Sequence, residues 1–241
     1  MEIQLFRSAL VLSASLIICS GIAAWAALNI RGSEQAITVT GSAKKRIKSD
    51  LVIWNAKASR RADKLVDAYK ALSLDIPVVK SYLISKGIKE EEIQVSSINT
   101  TALHGRENYG IESNAITGYN LSQSLEVRSK DIERISLIAR TATELINKGI
   151  AIESASPSYY CTNLGDIKIG MLAEAAKDAK VRAQAIAAST GSTVSSIQSA
   201  KMGVLQITPA DSTDVSDQGI SDVTSINKDI TAVVNLSFAL R

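Results

Sequence analysis

The sequence predicts an α+β fold: repeated strand–helix–strand units forming a mostly antiparallel sheet with three helices, preceded by one transmembrane helix. Three observations carry this expectation. Two stretches of the chain run strand, helix, strand, and both helices stop on the same tripeptide, Lys86-Gly87-Ile88 and Lys148-Gly149-Ile150. Several segments alternate apolar and polar residues with period two, the pattern of a half-buried antiparallel strand. Residues 8–30 hold no charge at all and are flanked by Arg7 and Arg31.

At about 1.5 Å per residue, a helix over residues 8–30 reaches roughly 34 Å, against a hydrocarbon core of about 30 Å. A signal peptide's apolar region is shorter, about 7 to 15 residues. Length thus favours a retained anchor over residues 1–31, with one domain over residues 32–241. Ala24-Trp25-Ala26 is the rival reading, a small-x-small cleavage site. Ile18 before Cys19 is too large for lipidation. Arg7 on one side and Arg31, Lys44, Lys45, Arg46 and Lys48 on the other leave orientation open by charge alone.

Residues 36–41 (AITVTG) and 50–59 (DLVIWNAKAS) read as strands, with the charged AKKRIK as the turn of a hairpin. A helix is expected over 63–86, where Leu65, Tyr69, Leu72, Ile76, Val79 and Leu83 form a stripe. Asp63 suits its start, Gly87 suits its end, and Pro77 predicts a kink or interruption. A strand, EEIQVSSINTT, follows.

The second unit opens at Ile116. Tyr119, Leu121, Leu125 and Val127 take one face, and Asn120, Ser122, Ser124, Glu126 and Arg128 the other. A helix over 131–148 carries Ile132, Ile135, Ala139, Ala142 and Ile146. In the next strand, Pro157 predicts an edge or a bulge. A third helix over 167–189 is rich in alanine, which allows close approach of another backbone. Asp178 and Arg182 stand one turn apart on it. Strands near 193–207 and 229–240 finish the chain. Between them lies PADSTDVSDQGISDVTSIN, read as a mobile loop. Asp211, Asp214 and Asp217 recur every third residue, whereas calcium loops alternate their ligands.

A net charge of +3 and 4% aromatic residues do not describe a nucleic-acid binder. The two cysteines are Cys19 and Cys161, so the domain has no disulfide of its own. His104, the single histidine, sits in turn-like LHGREN, and Cys161 reads as a small buried residue. No nucleophile, phosphate-loop or C-x-x-C motif is found. No catalytic residue, cofactor site or metal ligand is therefore expected.

The strand pair ITVTGSAKKRIKSDLVIW and the stretch YYCTNLGDIKIGMLAEAAKDAKVRAQAIAASTGSTVSSIQSAKMGVLQI resemble SIMPL domain proteins, notably the bacterial branch with a single N-terminal membrane segment. Thr162-Asn163-Leu164, Ala175, Ala179, Gly191 and Gly203 fit that pattern. Ala188-Ser189-Thr190 depart from it, since the branch often carries an acidic residue or Asn there. The resemblance implies an α+β domain exported to the periplasm or envelope, with no agreed catalytic residues. It includes ring-forming periplasmic immunogenic proteins and members tied to oxidative stress. The expectation is an inner-membrane, single-pass protein that contacts the membrane through residues 8–30. Its outer domain would act without catalysis, as a homo-oligomer (a ring among the forms considered) or by binding another protein. The alternative is a stress-defence enzyme or small-ligand protein using Cys161 or His104.

Overall fold

The computed structural model describes residues 15–26, 35–106 and 112–241. Helix α1 covers residues 15–26. No helix among the described residues is long and apolar enough to cross a membrane. The expected transmembrane helix over residues 8–30 is corrected accordingly, and so is the single-pass inner-membrane placement built on it. Ser15, Ser20 and Gly21 dilute the apolarity of the described part. Residues 8–14 and 27–30 of that run lie outside the described residues. The helix count also changes: the described residues form four helices rather than three.

The chain divides into two compact units. One comprises residues 45–167 and 206–230. Its strands are β2 (Leu51–Ala62), β3 (Ile93–Val95), β4 (Asn99–Arg106), β5 (Glu112–Ser129), β6 (Ala151–Ser154) and β7 (Ser158–Tyr160), and its helices are α2 (Leu65–Ser85) and α3 (Ile132–Thr141). The sheet order is β3-β5-β2-β6, with β4 also on β5 and β7 also on β2. The pairings of β2 with β5, of β2 with β6 and of β3 with β5 are all antiparallel. The succession β2-α2-β3, β5-α3-β6 in that order is the ferredoxin-like arrangement, so the twofold repeat in the sequence is a repeat in space.

The two halves end their helices alike. Gly87 and Gly149 have φ of 89° and 75°, the left-handed region that glycine enters without a Cβ penalty. Ile88 N–H donates to Leu83 O and Gly87 N–H to Ile84 O, while Ile150 N–H donates to Leu145 O and Gly149 N–H to Ile146 O. Both are Schellman closures, which seat the following apolar residue against the helix. Ile88 and Ile150 are accordingly buried.

Helix α2 runs on through Pro77, so of the expected kink or interruption the interruption does not occur. Pro77 and Ser73 are both exposed, and the proline leaves the Ser73 carbonyl without its intrahelical donor. The buried face is Ala68, Leu72, Asp75, Val79, Tyr82 and Leu83, and Leu65 and Tyr69 lie outside it. Helix α3 tightens into a 3₁₀ stretch over Ala142–Lys148. Three residues per turn bring Ala139, Ala142 and Leu145 inward and leave Ile146 55% exposed, where a continued α-helix would bury Ile146. Trp54, fully buried, donates its indole N–H to Ser154 Oγ at 3.0 Å. Pro157 separates β6 from β7, two short strands that both pair with β2.

The other unit comprises residues 1–44, 168–205 and 231–241. It draws on β1 (Ala36–Lys48), α4 (Leu164–Ser189), β8 (Val194–Met202) and β10 (Asn227–Leu240), the strands ordered β1-β10-β8. The short strand β9 (Gln206–Pro209) also pairs with β10. The expected hairpin of β1 with the following strand is corrected. Strand β1 runs straight through its lysines and pairs with β10, Thr38 meeting Ser237 and Thr40 meeting Asn235. Met171, Ala175, Ala179, Ala183 and Ala187, spaced by four, form the buried stripe of α4. Alanines there bring the helix so near β1 that Gly41 lies against the backbone of Ala175 and Ala179.

Candidate interaction surfaces

The residues singled out for chemistry are not assembled into a reaction centre. His104 stands exposed on β4, facing Ile116 of β5 in register. Cys161 follows β7, and its thiol donates to Asn163 Oδ1 at 2.9 Å. Burial pushes that thiol up from its ordinary pKa, and the Asp50 carboxylate adds to the rise, the reverse of what a nucleophile needs. Asp50 caps the same turn, accepting from Thr162 Oγ1 at 2.6 Å and Thr162 N–H at 2.8 Å. The Thr162 hydroxyl is the main reason its carboxyl lies below the usual range. Lys228 is buried and donates from Nζ to the carbonyls of Tyr159 and Asp222. Burial lowers its pKa, against the pull of Asp222 and Cys161.

The acidic segment, expected as a mobile loop, is tied down at its base. Arg46 pairs with Asp211 and donates Nε to Asp229 Oδ1 at 2.9 Å, while Asp229 Oδ2 accepts from Asp211 N–H. The hydrogen bond to Asp229, followed by that to Asp211, holds the Arg46 proton more tightly than usual. Gln206, buried, donates to Ser216 O at 2.7 Å and accepts from Ile220 N–H at 2.9 Å. Lys228 holds the far end. A fixed base thus presents a tip, residues 212–217, on which Asp214, Val215 and Asp217 are exposed, Val215 at 82%. Among the described residues no group of three His, Cys, Asp or Glu side chains is placed to hold a metal.

Two surfaces stand out. The first is the open side of β8. Among the described strands β8 pairs only with β10. Ile197, Ala200 and Met202 face Phe238, Leu236 and Val234 in register, on the apolar side of β10. Yet Ile197 and Met202 are 59% and 65% exposed. The strand's one charged residue is Lys201. Nine residues at about 3.3 Å give an edge of roughly 30 Å that holds a single charge and no proline, with its register against β10 shifted between Ser237 and Phe238 and again between Phe238 and Leu240.

The second is a groove of about 560 Å³ where the end of β5 meets the start of α3 and the closure of α2. Leu51, Ile88 and Ile135 supply its apolar floor, and Lys89, Arg128, Lys130 and Arg134 its cations. Asp131 caps α3 by accepting from Arg134 N–H and pairs with the Arg134 side chain, which also donates to Gly87 O. Glu92 accepts from Lys89 N–H. Arg128 and Lys130 are exposed and form no ion pair among the described residues. Sequence reading missed this groove because its parts come from three separated segments; its one local signal is the run Arg128-Ser129-Lys130.

A ferredoxin-like sheet with paired helices and a second sheet under an alanine-faced helix define an α+β fold. No curated protein matches the chain. The SIMPL family, described as a protein of unknown function, matches residues 37–238, and the chain belongs to that family.

Proposed function

We propose that this protein is a non-enzymatic association module that works as a homo-oligomer. The observation that carries the reading is the β8 edge, a nine-residue strand with one charge and exposed apolar side chains. A strand edge of this kind pairs with another chain unless something blunts it. Antiparallel pairing of β8 with β8 of a second copy opposes like charges only in a register centred on Lys201. Such a contact is isologous and self-complementary. Within its family, the chain reads as a member of the bacterial branch, whose ring-forming relatives lend support by resemblance only.

The test places charge on the edge. Ile197→Lys with Met202→Lys changes two exposed residues and leaves the core intact. Light scattering on the full chain in mild detergent is expected to show an oligomer for the wild type and a smaller species for the variant. A wild-type monomer at all concentrations would overturn the reading.

A further inference from the structure

We infer that the acidic tip at residues 212–217 of one copy docks into the Arg128–Lys130 groove of a second copy, a head-to-tail contact that rests on the self-association reading above and adds to it a second interface. The two surfaces are complementary in both charge and shape of polarity. The tip carries Asp214 and Asp217 on either side of exposed Val215. The groove sets half-buried Leu51, with Ile88 and Ile135 buried behind it, beside exposed Arg128 and Lys130, which form no ion pair among the described residues. An apolar anchor flanked by two acids matches a floor rimmed by two cations. None of the tip residues lines the groove of its own chain, so each copy leaves one donor and one acceptor surface bare.

The tip is also built to dock without a large ordering cost. Gln206, Arg46 and Asp229 fix its base. Asp214 is held by Ser212, whose hydroxyl donates to Asp214 Oδ2 at 2.8 Å while Asp214 N–H donates to that hydroxyl. A preordered loop gives up less freedom on binding. Because tip and groove are different patches, the contact is heterologous and propagates from copy to copy. Together with isologous β8 pairing, repetition of this contact closes into a ring when its rotation permits.

The experiment uses two charge-reversed full chains. One carries Arg128→Glu and Lys130→Glu; the other carries Asp214→Lys and Asp217→Lys. All four side chains are exposed, and circular dichroism checks that both variants fold. Sedimentation in mild detergent is expected to show each variant alone as a smaller species than the wild type, with association at least tenfold weaker. A 1:1 mixture is expected to recover the wild-type mass, because each groove then meets a tip of opposite sign. Wild-type association through this contact should also weaken at least tenfold between low and high salt. A wild-type oligomer unmoved by either reversal, or a mixture no larger than its components, defeats the docking contact and leaves the β8 reading standing. A wild-type monomer defeats the self-association reading itself.

Discussion

Replacing Gly41 with alanine tests the packing of the alanine-faced helix directly. A Cβ at Gly41 would stand 2.2 Å from Ala175 O, 2.5 Å from Ala179 N and 2.6 Å from Ala179 Cβ. The first two are backbone atoms within a helix, so no side-chain rotation relieves the contact. The helix or β1 must retreat by about 0.8 Å merely to reach 3.0 Å, a distance real Cβ atoms essentially never go below. A radial gap of about 0.5 to 1 Å forfeits a quarter to a half of each dispersion contact along the separated faces. Those faces include Ala175, Ala179 and Ala183, all fully buried. Overpacking a close-fitting site costs about 1 to 3 kcal/mol, and a backbone clash belongs at or above the top of that range. The expected loss for Gly41→Ala is therefore about 3 kcal/mol or more, read as a lowered urea midpoint by far-ultraviolet circular dichroism. A change under about 0.5 kcal/mol would show that α4 does not lie against β1 as described, and would refute the reasoning.

Three further outcomes follow from other parts of the structure. Gly170→Ala in α4, where an added Cβ meets nothing within 4 Å, should stabilise the protein by about 0.5–1 kcal/mol in the same assay through helix propensity. Asp75, buried on α2, holds the Arg60 guanidinium of β2 through both oxygens, so Asp75→Ala should cost about 3 kcal/mol by leaving a half-buried charge unpaired, and Asp75→Leu with Arg60→Met should recover most of it. Asp50 has its folded pKa lowered by Thr162, so its contribution is present above the unfolded carboxylate pKa and is lost as pH falls through the folded one; urea midpoints measured from pH 6 to pH 2 should fall less steeply in Asp50→Asn than in the wild type.

Periodicity made the secondary structure legible wherever an element was long and one-sided. The alanine-rich third helix, the β10 alternation and the paired Lys-Gly-Ile stops are all local patterns, and each appears in the structure. What failed depended on distant partners. The lysines of β1 resemble a turn until β10 is seen to carry the strand onward. Ile146 and Leu145 cannot be ranked without knowing that the helix tightens to three residues per turn. Pro77 reads as a break until it is seen on the exposed side of a helix that continues past it. The membrane reading rested on the length and lack of charge of residues 8–30, and among the described residues no helix is long and apolar enough to cross a membrane. Among the surfaces, the acidic tip was visible as composition, but its anchoring by Gln206, Arg46 and Lys228 was not. The groove was invisible because Leu51, Ile88, Arg128 and Ile135 converge only in the fold.

The central claim, that this SIMPL domain protein works as an association module, is tested most directly by sedimentation equilibrium of the full chain in density-matched mild detergent over a hundredfold range of concentration. The account predicts a discrete species whose mass is a whole-number multiple of 25.6 kDa, dissociating on dilution. A single 25.6 kDa species throughout that range would contradict it.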